Sequence, residues 1–376
     1  MNKSLKIAHV VPFTGRGSCG MYGTAYDLMM AETVKGHKPF VYDPRPSKQE
    51  YLDKIKDSLK NNPELAGENQ IKSNTRVEIG HEEAGVCSVD YNFVKDEVDF
   101  IISHSGLDSK LSGEGYNTPY IHIAHGRPYS SFLLEQTDQI PIYSLYRHLD
   151  KNENLKRVIT LWEPYKDYLE LLFKETPIEV FNAPVDLSFW KPIDTDFDFS
   201  GEKGEINIVC ADIWRLDKDP YYIFHGFREF AKRYPEAKLH VYGCRLESGW
   251  NCLMDALKCE GHTGELAGLV PPDYLLNVFN AADIVITPHK IATRTVREPL
   301  ACGTQLVAGC GNPYTKYTAD VEDIYKYADA IEEAYLDLKK NKEACNKHNT
   351  EVAKINFDSN ILATQMLNLI ESVYNE

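Results

Sequence analysis

Hydrophobic residues in the first half of the chain alternate between short continuous runs and stretches with helical spacing. After Gly20, the apolar residues Met21, Ala25, Leu28 and Met29 recur at i, i+4, i+7 and i+8, which predicts a helix with one buried face. Short apolar runs predict buried strands at Lys6–Val11, Pro39–Tyr42, Asp99–Ser103, Tyr120–Ala124, Arg157–Leu161 and Glu179–Phe181. Strands that alternate with helices in this way indicate a doubly wound, parallel α/β sheet.

The same pattern restarts after a polar interruption. The segment 191–204 contains Pro192 and several Asp, Ser and Gly residues without apolar periodicity, so we expect a linker there. Further strands are predicted at Ile206–Cys210, Lys238–Tyr242, Asp283–Thr287 and Gln305–Ala308. The pattern therefore predicts two α/β domains in series, one at residues 1–190 and one at 205–357.

Two helices belong to this second half. The first begins at Pro220, directly after the N-cap candidate Asp219, and ends before Pro235. Its predicted core face consists of Ile223, Phe227, Phe230 and Ala231. The last segment, 358–376, has an apolar stripe made of Leu362, Met366, Leu369, Ile370 and Val373. That spacing predicts an amphipathic helix at the end of the chain.

Composition and length fit a globular protein of more than one domain. The chain has 376 residues, of which 43% are hydrophobic and 26% charged. No apolar run approaches the roughly 18 residues that a membrane-spanning helix needs. Residues 1–6 lead directly into the first predicted strand, so we expect no secretory signal and a cytoplasmic protein. The nine cysteines include no Cys-x-x-Cys pair, which favours reduced structural thiols.

The charge balance argues against a broad nucleic-acid or anionic-lipid surface. The formal net charge is −15, from 41 Lys and Arg against 56 Asp and Glu. Residues 1–190 contain 21 basic and 27 acidic side chains, a net charge of −6, so the first half is not a basic arm. Binding to phosphates along a polyanion depends on clustered Lys and Arg, which this balance does not favour.

Two loops after predicted strands have the chemistry to hold an anionic ligand. In the first, residues 12–20, Gly15, Gly17 and Gly20 have the spacing of a dinucleotide-binding loop. Only Asp43 lies near the end of the second strand as an acidic partner for a ribose, so the pattern is weak evidence for a dinucleotide. In the second, residues 288–304, a short helix begins at Thr293–Thr295 and suits a diphosphate at its N-terminus.

The second loop also carries a family resemblance. The run Glu298–Thr304, preceded by Ala281–Pro288, resembles the donor-binding region of the retaining GT-B glycosyltransferases, in particular the glycosyl transferases of group 1, family 4-like. Other segments resemble this family in the same order along almost the whole chain: Gly20, Gly36-His37, His125-Gly126, Asn182–Leu187, and Arg215 with Lys218.

The resemblance implies both a fold and an activity. The fold is GT-B, an α/β architecture of two Rossmann-like doubly wound domains that face each other across a cleft, with the final helix crossing back to the N-terminal domain. The activity is transfer of a sugar, with retention, from a UDP- or GDP-linked donor to a hydroxyl of a glycan, lipid or small molecule. The nucleotide sugar is a substrate, and neither a further cofactor nor a metal is expected.

The resemblance also implies roles for particular residues. Arg215 and Lys218 would meet the charge of the leaving diphosphate, and His125 would lie near the reacting carbon. Glu298 would accept hydrogen bonds from the ribose hydroxyls, since one carboxylate can receive two donors. The remaining residues expected on the donor side are Gly20, Lys290, Thr293, Arg294 and Thr295, and those expected on the acceptor side are His104 and Arg16.

One position departs from the family pattern. The first glutamate of the Glu-x7-Glu motif, which contacts the transferred sugar, should fall at residue 290, where this chain has Lys290. An ammonium group cannot accept a hydrogen bond. Recognition of the donor sugar must therefore differ, or the loop must be displaced. Arg294 and Arg297 add positive charge nearby and suit a diphosphate or an acidic sugar.

Two other functions stay open. Lys290 is compatible with a catalytically inactive protein of this fold that binds a nucleotide sugar. The same fold also serves enzymes that glycosylate hydroxymethylated bases in some viral DNAs. That reaction would need a basic groove, which the net charge of residues 1–190 disfavours.

Overall fold

The computed structural model describes residues 4–11, 20–42, 87–88, 98–104, 118–125, 149–212, 220–243 and 255–374. The chain forms two compact units. The first consists of Met1–Pro184 and Ser359–Glu376, and the second consists of Val185–Asp358.

Strands and helices alternate in both units. The strands are β1 (Lys6–Val10), β2 (Lys38–Tyr42), β3 (Cys87–Ser88), β4 (Phe100–Ser103), β5 (Tyr120–Ala124), β6 (Leu155–Thr160), β7 (Ile178–Val180), β8 (Ile206–Ala211), β9 (Ala237–Tyr242), β10 (Thr263–Leu266), β11 (Ile284–Ile286), β12 (Gln305–Gly309) and β13 (Thr318–Ala319). The helices are α1 (Gly20–Val34), α2 (Lys166–Leu172), α3 (Pro220–Arg233), α4 (Pro272–Ala281), α5 (Arg294–Ala301), α6 (Ile324–Lys340), α7 (Lys342–Phe357) and α8 (Ser359–Tyr374), with 3₁₀ turns at Glu163–Tyr165 and Phe199–Gly201.

Each unit is built on one parallel sheet. The strand order is β3-β2-β1-β4-β5-β6-β7 in the first unit and β10-β9-β8-β11-β12-β13 in the second. Ile208 packs in one hydrophobic cluster of the second unit and its neighbour Val209 in another, so both faces of β8 are buried. Burial on both faces is typical of parallel sheets and explains why these strands have continuous apolar sequences. The predicted doubly wound α/β class is confirmed.

Helices complete the cores as the apolar stripes require. In α3, Ile223, Phe227, Phe230 and Ala231 are all fully buried against the second sheet. In α8, Met366 and Ile370 are buried in one cluster with Leu28 of α1 and Ile7 of β1. The final helix is therefore part of the first unit, although the second unit separates it from the rest of that unit in sequence.

The structure assigns the segment that we expected to be a linker to one of the two units. Residues 191–204 belong to the second unit, which begins at Val185 rather than after residue 190. Two aromatic residues explain the difference: Phe199 is fully buried with its ring centroid 3.8 Å from that of His240, and the Phe197 ring packs edge-on at 5.0 Å from Tyr274. The polar residues of the segment lie next to these two packed phenylalanines, so the segment is part of the second unit and does not separate two domains.

Within the described ranges, no helix has both the length and the apolar character that a membrane crossing demands.

Candidate active site

In the second unit, polar side chains meet at the carboxyl ends of two neighbouring strands. Asp212 follows β8, His289 lies beyond the end of β11, and these strands pair directly. The Nε2 atom of His289 lies 2.5 Å from Oδ2 of Asp212, and both side chains are more than nine-tenths buried. Ligands of open α/β sheets bind at this edge. This pair was not predicted.

The loop after β11 is fixed by backbone contacts. The carbonyl oxygen of His289 accepts hydrogen bonds from the backbone N–H of Gly309, at 3.2 Å, and from Nδ2 of Asn312, at 3.1 Å. A Cβ atom on Gly309 would lie only 2.2 Å from the carbonyl oxygen of Pro288. The loop therefore depends on a residue without a side chain at position 309.

Replacing Gly309 by alanine is expected to lower the free energy of unfolding by about 1–3 kcal/mol, because the backbone of the loop must move. Urea unfolding of the variant measures this. Gly268→Ala is the matched control, since a Cβ there meets no atom within 4 Å. Equal stability of the two variants would contradict the close approach at Gly309.

The N-terminus of α5 lies at the end of the same loop, as predicted. Thr293 is its N-cap residue, and the hydroxyl of Thr293 lies 3.0 Å from that of Thr295. The first N–H groups of a helix have no partner within the helix, so with these hydroxyls they can bind an anion. Thr293 and Thr295 thus lie together at the helix N-terminus, and their role toward a diphosphate stays a prediction.

Charged residues of α5 lie around this N-terminus. Glu298 is 4% exposed, and its Oε1 forms an ion pair with Nε of Arg294, one helical turn earlier. Arg297 is buried, and its Nη1 donates a hydrogen bond to the carbonyl oxygen of Ala292, at 3.0 Å. Lys290 is exposed. We call Thr293, Thr295, Arg294 and Glu298 the α5 cluster.

A second set of polar side chains lies inside the first unit. Oε2 of Glu32 lies 2.9 Å from Nε2 of His9, and Nδ1 of His9 lies 3.0 Å from Nε2 of His104. Nδ1 of His104 lies 3.0 Å from Nε2 of His125. We call these four residues the histidine chain. It links α1 to the strand ends of β4 and β5 and contains the predicted residues His104 and His125.

Burial controls protonation along this chain. Desolvation, reinforced by the neighbouring histidines His125, His9 and His122, holds the pKa of His104 well below its usual value. Burial also lowers the pKa of His122 to about 4, and Nδ1 of that ring lies 3.2 Å from the Ser103 hydroxyl. Both rings are therefore neutral at pH 7.

The other predicted site residues divide into two groups. Gly20 is the first residue of α1, and a Cβ there would meet no atom within 4 Å, so none of the described contacts requires glycine. Its role toward a phosphate stays a prediction. Arg16, Arg215 and Lys218 lie outside the described residues.

Sequence signals for the missed residues exist. His9 interrupts an apolar strand, and Glu32 follows Leu28 at i+4 on the buried side of α1. Asp212 and His289 are polar residues placed just after buried strands. A polar side chain that is buried in an apolar pattern needs a hydrogen-bond partner. Such residues therefore indicate where polar side chains meet in the fold.

The comparisons with known proteins agree with this architecture. No family model and no curated protein matches the sequence. Among solved structures, Anabaena HepE in complex with UDP-glucose has a TM-score of 0.71 at 12% identity, covering 98% of this chain and 100% of that one. Sucrose-phosphate synthase from Thermosynechococcus elongatus has a TM-score of 0.68 at 13% identity, with 99% of each chain covered.

A third similar structure is an α-glucosyltransferase in complex with UDP and a 13-mer DNA containing an HMU base. Its TM-score is 0.64 at 11% identity, and both chains are covered completely. The fold of this chain is therefore the GT-B glycosyltransferase fold, from end to end. The expected fold class is confirmed.

Proposed function

We propose that this protein is a glycosyltransferase that moves a sugar from a nucleotide sugar, UDP-linked in the first instance, to a hydroxyl group. The observation that carries the proposal is the likeness of the whole chain to HepE, a protein whose structure contains UDP-glucose. The likeness covers both units of the chain.

The α5 cluster supports the donor half of this proposal. Loss of a nucleoside diphosphate builds negative charge on the leaving group, and preorganised N–H and O–H donors stabilise that charge. Thr293, Thr295 and the first N–H groups of α5 are donors of this kind. Glu298, held by Arg294, is a carboxylate for the ribose hydroxyls. Arg215 and Lys218 are proposed as the cations for the diphosphate, by resemblance.

Binding of UDP is the first test. We expect UDP to raise the melting temperature by at least about 2 °C at a hundred-fold excess over its Kd, because a ligand of the native state adds about 2.7 kcal/mol of stability there. A thermal-shift series with UDP, GDP, ADP and uridine measures this and identifies the base. No shift with any nucleotide would contradict the proposal.

Retention and metal independence are part of the proposal. In a retaining front-face reaction, the departing phosphate takes the proton of the attacking hydroxyl, so the chemistry needs no further base. The anomeric configuration of the product, followed by NMR from an α-linked UDP-sugar, tests retention. Turnover in the presence of EDTA tests metal independence. An inverted product or a rate abolished by EDTA and restored by Mg²⁺ would contradict the respective part.

The acceptor has a second candidate. The full-length likeness to an α-glucosyltransferase bound to DNA with an HMU base favours a hydroxymethylated base in DNA. The net charge of −15 favours a small or uncharged acceptor. Release of UDP from UDP-glucose is compared with HMU-containing DNA, unmodified DNA of the same sequence, and free monosaccharides or their phosphates as acceptors. Release stimulated only by the modified DNA selects the second candidate.

An inactive binding protein gives a different result. Such a protein would show the thermal shift with a nucleotide sugar but would release no UDP with any acceptor. Lys290, which replaces the expected glutamate, motivates this control. Lys290→Glu is the informative variant, because restoring the carboxylate should change the preferred sugar if position 290 contacts it.

A further inference from the structure

The histidine chain joins four side chains from four elements. Glu32 comes from α1, His9 from β1, His104 from the end of β4 and His125 from the end of β5. Glu32, His9 and His104 are at most 1% exposed, whereas His125 is partly exposed. The three nitrogen and oxygen contacts between them measure 2.9, 3.0 and 3.0 Å. The histidine chain therefore runs from the buried carboxylate of Glu32 to the partly exposed ring of His125 at the end of β5.

The donor and acceptor atoms give the hydrogen bonds of the histidine chain a direction. A carboxylate only accepts, so Nε2 of His9 carries the proton that is donated to Glu32. If each imidazole carries one N–H, Nδ1 of His9 accepts from Nε2–H of His104, whereas a second proton on His9 would reverse the direction. By the same reasoning, Nδ1 of His104 accepts from Nε2–H of His125. All three rings then have the proton on Nε2, and Nδ1 is the acceptor atom of His125.

We propose that Glu32, His9 and His104 are positioning residues that act through His125. They hold His125 in the tautomer with Nε2–H, and they transmit the negative charge of the buried carboxylate to its Nδ1. That atom then accepts a hydrogen bond from a carbohydrate hydroxyl or faces the positive charge that develops on a transferred sugar. The catalytic consequence rests on the proposed function, whereas the proton arrangement does not.

Further contacts in the first unit support this assignment. The second carboxylate oxygen of Glu32, Oε1, is buried and has no hydrogen-bond partner within the described ranges, so the described hydrogen bonding of this group is directed at His9. The low pKa of His104 keeps the middle ring neutral, as a chain of single N–H donors requires. The neighbouring ring of His122 has the Ser103 hydroxyl within hydrogen-bond distance of its Nδ1, at 3.2 Å.

The proton arrangement is tested in the full-length protein without any substrate. Long-range ¹H–¹⁵N correlation spectra of selectively labelled histidines show which ring nitrogen carries a proton. His9, His104 and His125 are assigned from the spectra of single His→Gln variants. We expect the Nε2–H tautomer in all three rings of the unsubstituted protein at pH 7. A proton on Nδ1 of any of them would overturn the proposal.

The variant Glu32→Gln tests whether the Glu32 carboxylate sets the direction of the hydrogen bonds in the histidine chain. An amide can donate or accept, so this variant no longer fixes the order of protons, and we expect His125 to show a mixture of tautomers. His122→Gln, also a buried substitution in the same unit, is the matched control and should leave the three rings unchanged. A single, unaltered tautomer of His125 in folded Glu32→Gln would overturn the role of Glu32.

A double-mutant cycle tests whether the chain acts through His125. We expect Glu32→Gln to lower kcat at least about ten-fold with the donor KM unchanged, and to have less than a two-fold effect in a His125→Gln background. Equal effects in both backgrounds would overturn the positioning role. If the tautomers are as expected but no donor is turned over, the proposed function fails while the proton arrangement stands.

Discussion

The variant His125→Gln is expected to transfer sugar about 10²–10³-fold more slowly than the unsubstituted protein, with the Kd for UDP changed less than about two-fold. The physical reason is the position of His125 at the carboxyl end of β5, where it is the last ring of the histidine chain. Glutamine keeps a polar side chain there. Its amide oxygen can accept a hydrogen bond, but it is not an imidazole nitrogen polarised through the ring by the buried carboxylate, so the loss falls on the chemical step.

Initial rates of UDP release and isothermal titration with UDP measure the two quantities separately. His37→Gln is the matched control, because His37 also belongs to the first unit and its Nδ1 accepts a hydrogen bond from the backbone N–H of Leu5, at 3.3 Å, which a glutamine oxygen can also accept. A rate that falls equally in both variants would reflect a loss of folding. An unchanged rate in His125→Gln would refute the catalytic assignment of this residue.

The central strands could be predicted from the sequence because they are buried on both faces. Each predicted strand is present, with its ends within two residues of the expected positions. The strands that were not predicted are β3, β10 and β13, which contain two, four and two residues and lie at sheet edges. An edge strand needs fewer apolar residues, since part of it stays outside the core, so its pattern is too short to recognise.

The boundary between the units could not be read from composition. Asp, Ser and Gly residues around Phe197 and Phe199 resemble a linker, but the two phenylalanines pack on residues that lie between 40 and 80 positions later in the chain. Val185 donates a backbone hydrogen bond to Phe357, at 2.7 Å, which closes the second unit at its two ends. Such contacts are set by tertiary structure and leave no local signal.

The candidate site also combines features that could be predicted from local sequence with features that depend on tertiary structure. The loop between β11 and α5 was found because a strand, a helix start and a motif coincide in one stretch of sequence. The Asp212–His289 pair and the Glu32–His9 contact join residues 77 and 23 positions apart, and each depends on the strand order. A polar residue inside an apolar pattern indicates that a partner exists, but only the topology of the sheet identifies which residue it is.

Replacing Glu298 by glutamine is expected to weaken UDP binding about 10–100-fold. Glu298 is proposed to accept hydrogen bonds from the ribose hydroxyls, and hydrogen bonds to a charged group contribute about 1.5–3 kcal/mol. An amide of the same shape has only one acceptor oxygen, so both the charge and one acceptor are lost. Titration calorimetry with UDP measures the change, and uridine, which has the ribose without the diphosphate, should lose affinity by a similar factor.

The ion pair with Arg294 provides the alternative explanation, and two variants separate the two roles. If Glu298 only stabilises α5, Arg294→Gln should lower the free energy of unfolding as much as Glu298→Gln does, and neither should alter the affinity for uridine. If Glu298 binds the ribose, Glu298→Gln weakens uridine far more than Arg294→Gln does. Glu260→Gln, which removes the partner of Arg228 elsewhere in the same unit, shows the effect of losing an ordinary ion pair. Equal uridine affinities in all three variants would therefore refute the ribose assignment, because the buried Glu298 belongs to the α5 cluster, whereas the exposed Glu260 does not.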